Sequence, residues 1–395
     1  MRKSAAFMLL LFLSCTPSVL SQELKKVIVF PLEIPSQAQK LEWMSEGIAL
    51  SISGQLEGRA VKAVDRNDRI GVVEKMDLPP GAQLSRASMI RAAQQSNVDL
   101  LIMGVIAGTE SSLKILVRAL DIQSMKLSGD MVANGPLSAL QQMENELAWM
   151  ILNNTGLKSD VSRDSFASRT RKAPNSAYSL FIQSLSTASE KEQLRLLSKA
   201  VAEYRDFPQA QFLIGSLYYR RGECDKALQH LMLGRGEGGQ MEENEFMCGT
   251  CYLQRNLPDP AIQTLSSLPS ASSSYEVLNN LGTAYLLKGD DEAAHRCLEE
   301  ALKIAHADST VSLNYAIVRH LQGKDAEARR VLEEASKAHP KSGMIHFLLS
   351  ILLKEAGEVE RAAPAAERAR NLGINVEKLQ SDNPRSWSRV ITSWK

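Results

Sequence analysis

The sequence has little in its composition that points to chemistry. It contains 46 Lys and Arg against 45 Asp and Glu in 395 residues, for a formal net charge of +1. A chain so near neutrality has no overall attraction to nucleic acid or to an acidic membrane surface. Aromatic residues make up only 5% of the chain, and six His and five Cys are few for a metal cluster. Nucleic acid, cofactors and metals are therefore not expected as partners.

Catalytic motifs are missing as well. The sequence has no Gly-rich phosphate loop ending in Lys-Ser/Thr, no HExxH and no GxSxG. All six histidines fall in the repeats described below, where a surface position is expected: His230, His295, His306, His320, His339 and His346. We therefore predict that the protein is not an enzyme, and hydrolase activity is the alternative left open.

Long apolar runs are lacking except at the N-terminus. Arg2 and Lys3 precede an apolar run from Ala5 to Leu13, which is shorter than the ~20 residues that span a bilayer. This pattern predicts a signal peptide over residues 1–21, cleaved after Ser21. Alternatively, the four residues ending at Cys15 form a relaxed lipobox, and Cys15 carries a lipid. Either way the mature chain is exported, to the periplasm or to an outer-membrane-associated position.

Cysteines are few, and those beyond Cys15 all lie in the repeats. Cys248 and Cys251 are three residues apart on one predicted helix, the spacing of a redox or zinc CxxC motif. No second CxxC or pair of histidines accompanies them. Burial in the packing between helices is therefore expected, with a disulfide as the alternative, since export favours oxidation.

Residues 22–155 alternate between the patterns of strands and helices. Short β-branched or alternating runs predict strands over 26–32, 61–64, 99–106, 113–122 and 126–132, and apolar residues at helical spacing predict helices over 41–56, 85–95 and 137–152. These elements predict a compact α/β domain with one mixed sheet and helices on one side.

Four short motifs in this region occur in a family's order. They are Ile28-Val29-Phe30-Pro31, Trp43-Met44-Ser45-Glu46-Gly47-Ile48, Val98-Asp99-Leu100-Leu101-Ile102-Met103-Gly104 and Arg118-Ala119-Leu120-Asp121. The region resembles the TolB amino-terminal-like domain, which is itself similar to the FlgO-type envelope domain. It departs from that family at Gln123-Ser124-Met125, where a Thr-Gly turn is usual. The resemblance implies an assembly or ligand-responsive module of a bacterial envelope protein.

Residues 156–174 are polar and basic and predict an exposed linker, with Pro174 disfavouring helix in the residue before it. The following residues, 175–374, carry a recurrence of 33 or 34 residues. Small residues recur at Gly215, Gly249, Gly282, Ala316 and Ser350, alanines at Ala227, Ala261, Ala294, Ala328 and Ala362, and turn residues at Gly222, Asn256, Gly289, Gly323 and Gly357. This period is typical of stacked helix–turn–helix units.

The recurrence resembles the tetratricopeptide repeat family, as one degenerate unit followed by five units. Two antiparallel helices approach closely only where side chains are small, so we expect the small residues and alanines to lie at the helix crossings. Leu231, Leu265, Leu298 and Leu332 are expected to fill the space beneath. The fold class is thus α+β: an N-terminal mixed α/β domain followed by an all-α superhelix of repeats.

Stacked first helices in such arrays line a groove, which is the predicted partner site. The repeat phase places on it Phe212, Tyr219, Phe246, Leu253, Asn279, Thr283, Leu286, Leu313, Ile317, Phe347 and Ile351. This wall is mostly apolar, and the polar anchors would be Arg220, Gln254, Asn279 and His320. The family's carboxylate clamp is absent, so a peptide carboxy terminus is not the expected ligand.

The tail, residues 375–395, holds Trp387, Val390, Ile391 and Trp394 at helical spacing. We expect it to cap the last repeat, and the alternative that it fills the groove stays open. The resulting prediction is an exported adaptor or scaffold of the cell envelope that binds a protein partner in an apolar groove. The alternative is an envelope sensor whose α/β domain binds a small ligand and signals through the repeats.

Overall fold

The chain forms two compact units, residues 1–175 and residues 176–395. The computed structural model describes residues 24–34, 41–58, 61–78, 84–157, 171–235, 240–306 and 308–393. The predicted signal peptide, Cys15 and Trp394 lie outside the described residues. Among the described residues, no helix combines the length and the apolar character needed to cross a bilayer.

The first unit contains a five-stranded mixed sheet. Its strands are β1 (Lys25–Val29), β2 (Val61–Ala63), β3 (Leu100–Thr109), β4 (Ser112–Asp121) and β5 (Met131–Gly135), in the order β2-β1-β3-β4-β5. The strand β1 runs parallel to both β2 and β3, whereas β3, β4 and β5 form an antiparallel meander. The mixed sheet predicted from the sequence is present.

Helices cover both faces of this sheet. They are α1 (Glu42–Leu56), α2 (Arg66–Glu74), α3 (Arg86–Gln95) and α4 (Leu140–Asn154). On one face, Val27 and Ile102 pack with residues of α1 and α4. On the other face, Ile28 and Leu101 pack with α2 and α3. The prediction of helices on one side was therefore wrong, because alternate residues of β1 and β3 are apolar in both directions and each face needs a cover.

Two further elements differ from the sequence prediction. The helix α2 was missed because Arg69, one of its two buried residues, is charged. Arg69 donates to the carbonyl of Val29 at 2.6 Å and pairs with Glu46, and burial lowers the pKa of its guanidinium. The strand β5 begins at Met131 rather than at residue 126, while Leu127 makes only an isolated bridge to Leu120.

The end of the predicted linker is folded. Arg171 pairs with the buried carboxylate of Glu144 at 3.4 Å, Ala173 is buried, and the Asn175 amide donates to the Leu137 carbonyl at 2.7 Å. Residues 171–175 thus belong to the first unit rather than to an exposed tether. Residues 158–170 lie outside the described part of the chain.

The second unit is a run of helix pairs. Its helices are α5 (Asn175–Leu185), α6 (Glu190–Glu203), α7 (Pro208–Arg220), α8 (Cys224–Leu233), α9 (Gln240–Gln254), α10 (Pro258–Ser266), α11 (Tyr275–Lys288), α12 (Asp291–Ile304), α13 (Ser309–Leu321), α14 (Asp325–Ala338), α15 (Gly343–Glu355), α16 (Val359–Asn371) and α17 (Val376–Ser381). Each helix contacts mainly its sequence neighbours, as expected for a quasi-one-dimensional array. The fold class predicted from the sequence is thereby confirmed.

Close packing within three of the pairs rests on a glycine facing a leucine. A β-carbon added at Gly215, Gly249 or Gly282 would lie 2.7, 2.5 or 2.4 Å from the nearest atom of Leu231, Leu265 or Leu298. Each of these glycines therefore packs against a leucine of the second helix. The recurring alanines and the small residues Ala316 and Ser350 are buried all the same.

The turn between the two helices of a pair uses a left-handed residue. Gly222, Asn256, Gly289, Gly323 and Gly357 have φ values of +72°, +57°, +88°, +70° and +78°. Glycine adopts this conformation without steric cost, and asparagine is the side-chain-bearing residue that tolerates it best. The recurring turn residues are thus explained by backbone geometry.

Candidate functional site

The repeat array binds a segment of its own chain. We name residues Arg385–Thr392 the tail segment, and we name the surface that it contacts the groove. The groove is formed by side chains of α7, α11, α13 and α15, which are first helices of their pairs. The contacts of the tail segment therefore mark the candidate site.

The tail reaches the groove by way of α17. This helix contacts α16, and Val376 at its start is buried in the core of the last repeats, as a cap would be. A short 3-10 turn, Pro384–Trp387, then redirects the chain. The expected capping role is thus wrong for the tail segment, and so is the expected helix, because residues 388–393 have no regular secondary structure.

Two asparagines hold the main chain of the tail segment. The side chain of Asn280 accepts from the amide of Ile391 and donates to its carbonyl, both at 2.8 Å. The side chain of Asn314 accepts from the amide of Arg389 at 2.8 Å and donates to its carbonyl at 2.6 Å. A carboxamide carries both a donor and an acceptor, so it satisfies both polar groups of one residue. We call Asn280 and Asn314 the amide clamps.

The clamps are themselves held by polar neighbours. Asn279 accepts from the Asn314 amide at 2.8 Å and donates to the Asn280 oxygen at 3.1 Å, and Thr250 accepts from Asn280 at 3.2 Å. Thr283 donates to the Arg389 carbonyl at 3.3 Å. With the tail segment in place, both clamps are fully buried. Because buried amides without partners are costly, this network fixes the orientation of both clamps.

Trp387 fills an aromatic pocket. Its ring meets Phe347 edge-to-face with centroids 5.1 Å apart and stacks on His320 at 6.4 Å. The indole N–H donates to the Leu379 carbonyl at 3.0 Å, and the side chain is 4% exposed. His320 is held from its other side by Asp325, with Nδ1 at 2.8 Å from the carboxylate. The pocket thus satisfies both the apolar body and the polar edge of a tryptophan.

The two ends of the tail segment are also fixed. Arg385 forms a bidentate ion pair with Asp291, at 2.9 Å for its second bond, and donates to the Leu286 carbonyl at 3.0 Å. At the other end the Tyr219 hydroxyl donates to the Thr392 carbonyl at 2.7 Å. Burial raises the pKa of Tyr219, so its hydroxyl stays protonated as a donor.

The predicted groove residues divide into those that touch the tail segment and those of the surrounding core. Tyr219, Asn279 and Thr283 bond to it directly, and Phe347 contacts Trp387. Phe246 and Leu253 belong to the buried cluster against which Val390 packs. The rest lie in core clusters or against them: Leu286, Leu313, Ile317 and Ile351 around the cluster that contains Trp387, and Phe212 beside Cys224 in the first full pair.

Of the four predicted polar anchors, Asn279 hydrogen-bonds to the tail segment and His320 stacks on Trp387, whereas Arg220 and Gln254 do neither. Arg220 is exposed, and Gln254 accepts from the Cys224 thiol at 2.8 Å near the turn of the first full pair. The hydrogen bonds to the tail segment come mainly from amides and hydroxyls, so the expected apolar wall describes the surrounding core better than it describes these contacts.

The amide clamps and Asp291 were missed in the sequence. A signal was nevertheless present, because Asn280 and Asn314 are 34 residues apart, one repeat period, at the same position of successive first helices. An asparagine repeated inside helices is unusual, since its side chain competes with the backbone for hydrogen bonds. Such a residue is a candidate for binding another main chain.

The cysteines of the array are free thiols. Cys224, Cys248 and Cys251 are buried and Cys297 is partly buried. Burial raises the pKa of Cys248 to about 12 and raises that of Cys251 as well. Thiols with raised pKa values are poor nucleophiles and poor metal ligands, so the structure places the CxxC pair in packing.

A depression on the sheet of the first unit bears on the sensor alternative. It has a volume of about 170 Å³ and is lined by apolar residues of β3 and β4 together with Glu33, Arg86 and Arg118. Pockets that enclose small ligands typically measure about 300–1,000 Å³. The depression therefore gives no specific support to a small-molecule site.

Comparison with known proteins agrees with the helical pattern. Two family models, both described as tetratricopeptide repeat, match residues 275–308 and residues 322–374 respectively. No match is found among curated protein sequences. The solved structure of MamA is 19% identical, covering 43% of this chain and 98% of its own, with a TM-score of 0.36.

Two further solved structures are similar over part of the chain. YrrB, described as a TPR protein with an unusual peptide-binding site, is 13% identical over 47% of this chain and 98% of its own, with a TM-score of 0.37. The APC/C hetero-tetramer Cut9-Hcn1 is 15% identical over 54% of this chain and 42% of its own, with a TM-score of 0.41. From the two matched family models and the recurring helix pairs, the second unit contains tetratricopeptide repeats.

Proposed function

We propose that the chain is an exported adaptor of the bacterial cell envelope that holds a protein partner in the groove of its repeats. Tetratricopeptide repeats support protein–protein interaction as the general function, since stacked helix pairs present a long surface instead of an enclosed pocket. The observation that carries the proposal is main-chain binding by the amide clamps. A surface that pairs with both polar groups of a residue is suited to an extended polypeptide.

The sheet domain would anchor the adaptor in a larger assembly, as its resemblance to TolB amino-terminal-like and FlgO-type domains suggests. The proposal includes no catalytic step. The sensor alternative stays a prediction from the sequence, and the small depression on the sheet gives it no specific support.

Export rests on residues 1–21 and on Cys15. Fractionation of cells that express the full chain tests both parts: the protein is expected outside the cytoplasm, and Cys15→Ser is expected to leave the membrane fraction if Cys15 carries a lipid. Retention of the wild-type chain in the cytoplasm would contradict the envelope assignment. Unchanged membrane association of Cys15→Ser would refute the hypothesis that Cys15 carries a lipid.

Crosslinking in intact cells followed by pull-down tests the groove. We compare the wild-type chain with Asn280→Ala/Asn314→Ala and with the control Glu300→Ala/Lys303→Ala, which removes an exposed ion pair on α12. A genuine groove partner is expected to fall at least ~10-fold with the first variant and to be retained by the control, in line with the loss of several hydrogen bonds. Equal recovery by all three, with unchanged circular dichroism, would refute a groove partner.

A further inference from the structure

The occupant of the groove defines the ligand chemistry that the groove accepts. We propose that the groove is a site for an extended segment of the type Arg-x-Trp-x-x-Val-Ile, that the tail segment fills it within the same chain, and that a partner segment of this chemistry enters by displacing the tail segment. The partner clause rests on the proposed adaptor function. The ligand chemistry and the occupancy within one chain rest on the contacts alone.

Main-chain recognition sets the first requirement, which is an extended backbone. The two clamped residues, Arg389 and Ile391, are two positions apart, and alternate residues of an extended chain point their polar groups the same way. The clamps lie at equivalent positions of α11 and α13, so one repeat of the array matches two residues of the ligand. Proline at either clamped position would remove the bonded N–H.

Side-chain pockets set the second requirement. Trp387 is enclosed by Phe347 and His320, Arg385 forms a bidentate ion pair with Asp291, and Val390 packs on the cluster of Phe246. A bidentate pair distinguishes arginine from lysine. A buried indole with a satisfied N–H distinguishes tryptophan from smaller apolar residues.

The residues between these anchors contribute less. The side-chain hydroxyls of Ser386 and Ser388 donate to the nearby carbonyls of Asn383 and Arg385, and these bonds stay within the tail itself. The groove therefore selects at the arginine, tryptophan and β-branched positions and tolerates variation at the two serines.

Occupancy within one chain controls access to the groove. A tethered segment has an effective concentration of order mM, so a free peptide of the same sequence competes poorly while the tail segment is bound. The apparent affinity for a partner equals the affinity of the open groove multiplied by the fraction of chains whose groove is open. Loss of the Arg385 or Trp387 contacts should raise that fraction without altering the clamps.

Fluorescence anisotropy with a labelled peptide of residues 383–393 tests this inference on the full chain. We expect Arg385→Ala/Trp387→Ala, the opened variant, to bind the peptide at least ~10-fold more tightly than the wild-type chain, because its own tail no longer competes. Adding Asn280→Ala/Asn314→Ala to the opened variant should abolish that gain. Equal dissociation constants for the wild-type chain and the opened variant would overturn the inference.

A modified peptide keeps the test independent of folding. Methylation of the peptide nitrogens at the positions of Arg389 and Ile391 removes both clamped donors and leaves every protein residue unchanged. We expect at least ~10-fold weaker binding to the opened variant. Equal binding of the methylated and unmethylated peptides would overturn main-chain recognition.

The oligomeric state separates occupancy within one chain from exchange between chains. Sedimentation is expected to give a monomer at all concentrations, and a dimer abolished by Trp387→Ala would overturn occupancy within one chain. None of these measurements uses a cellular partner. A failed peptide experiment therefore refutes the ligand chemistry, while the adaptor function is still tested by the pull-down. A failed pull-down refutes the groove partner and does not affect the peptide result.

Discussion

The sheet domain and the repeat array organise their contacts differently. In the sheet, β1 lies between β2 and β3, so Val27 pairs with both Ala63 and Leu100. Its core therefore depends on segments far apart in the sequence. In the array, most contacts join successive helices. The comparison teaches that damage should spread through the first unit and stay near its origin in the second.

The largest effect is expected at the centre of the sheet. Ile102 on β3 is fully buried between the helices of one face and the rest of the sheet, and Ile102→Ala should cost about 2–5 kcal/mol of unfolding free energy. Hydrogen exchange should accelerate in all strands of the first unit and not in α15 and α16. Equal acceleration in both units would break the comparison.

A smaller, local effect is expected in the array. Gly282→Ala places a β-carbon 2.4 Å from Leu298 and should cost about 1–3 kcal/mol through overpacking. Faster exchange should be confined to α11, α12 and the helices beside them. The control is Gly54→Ala on α1, where an added β-carbon meets nothing within 4 Å and helix propensity should add about 0.5–1 kcal/mol. Destabilisation by both changes would contradict the crossing-point explanation.

A still smaller effect sharpens the exception to local contacts. Tyr219→Phe removes the hydrogen bond to the Thr392 carbonyl and should cost about 0.5–1.5 kcal/mol. Exchange should rise at the amides of residues 389 and 391. Tyr285→Phe is the matched control, because Tyr285 makes no hydrogen bond to the tail segment. If the control changes these amides as much, the hydroxyl of Tyr219 does not hold the tail.

The smallest effect is an opposite pH dependence in the two units. Burial raises the pKa of Glu144 in the first unit, whereas the hydrogen bond from Tyr315 lowers the pKa of Glu327 in the array. The stability that Glu144 contributes is fully present at a pH below the ordinary carboxyl pKa of about 4.3, and it is lost as the pH rises through the raised pKa of Glu144. The stability that Glu327 contributes is present at a pH above about 4.3, and it is lost as the pH falls through the lowered pKa of Glu327.

Glutamine variants measure the sign of each contribution. Glu144→Gln should destabilise its unit less at pH ~7 than at pH ~3, and Glu327→Gln should destabilise the array more at pH ~7 than at pH ~3. Urea unfolding monitored by hydrogen exchange assigns each change to its unit. If the loss of unfolding free energy changed with pH in the same direction for both variants, the two carboxyl groups would not have pKa values shifted in opposite directions.

The local pattern of the array was largely predictable from sequence. The close approach at Gly282 and the left-handed turn at Gly289 each depend on one residue type at one position, and a period displays such requirements repeatedly. The cover on both faces of the sheet was not predicted, since it depends on which strands become neighbours. The helix α2 was missed because its Arg69 is buried by a partner from a distant segment, Glu46.

The groove was predictable only in part. Repeat phase placed Tyr219, Asn279 and Thr283 where they contact the tail segment. The path of the tail could not be derived, because the bonds that fix it join polar side chains to the main chain, which every sequence shares. Apolar periodicity suggested a helix for residues whose backbone partners are in fact Asn280 and Asn314.

The bond between Tyr219 and Thr392 joins residues 173 positions apart in a unit whose other contacts are mostly short-range. The tail segment thus closes a loop around the repeats, from the last helix pair back to the first full pair. Its docking requires α7, α11, α13 and α15 to be stacked together. The tail segment therefore reports whether the whole array has been assembled, and a misplaced or missing repeat would leave it unbound.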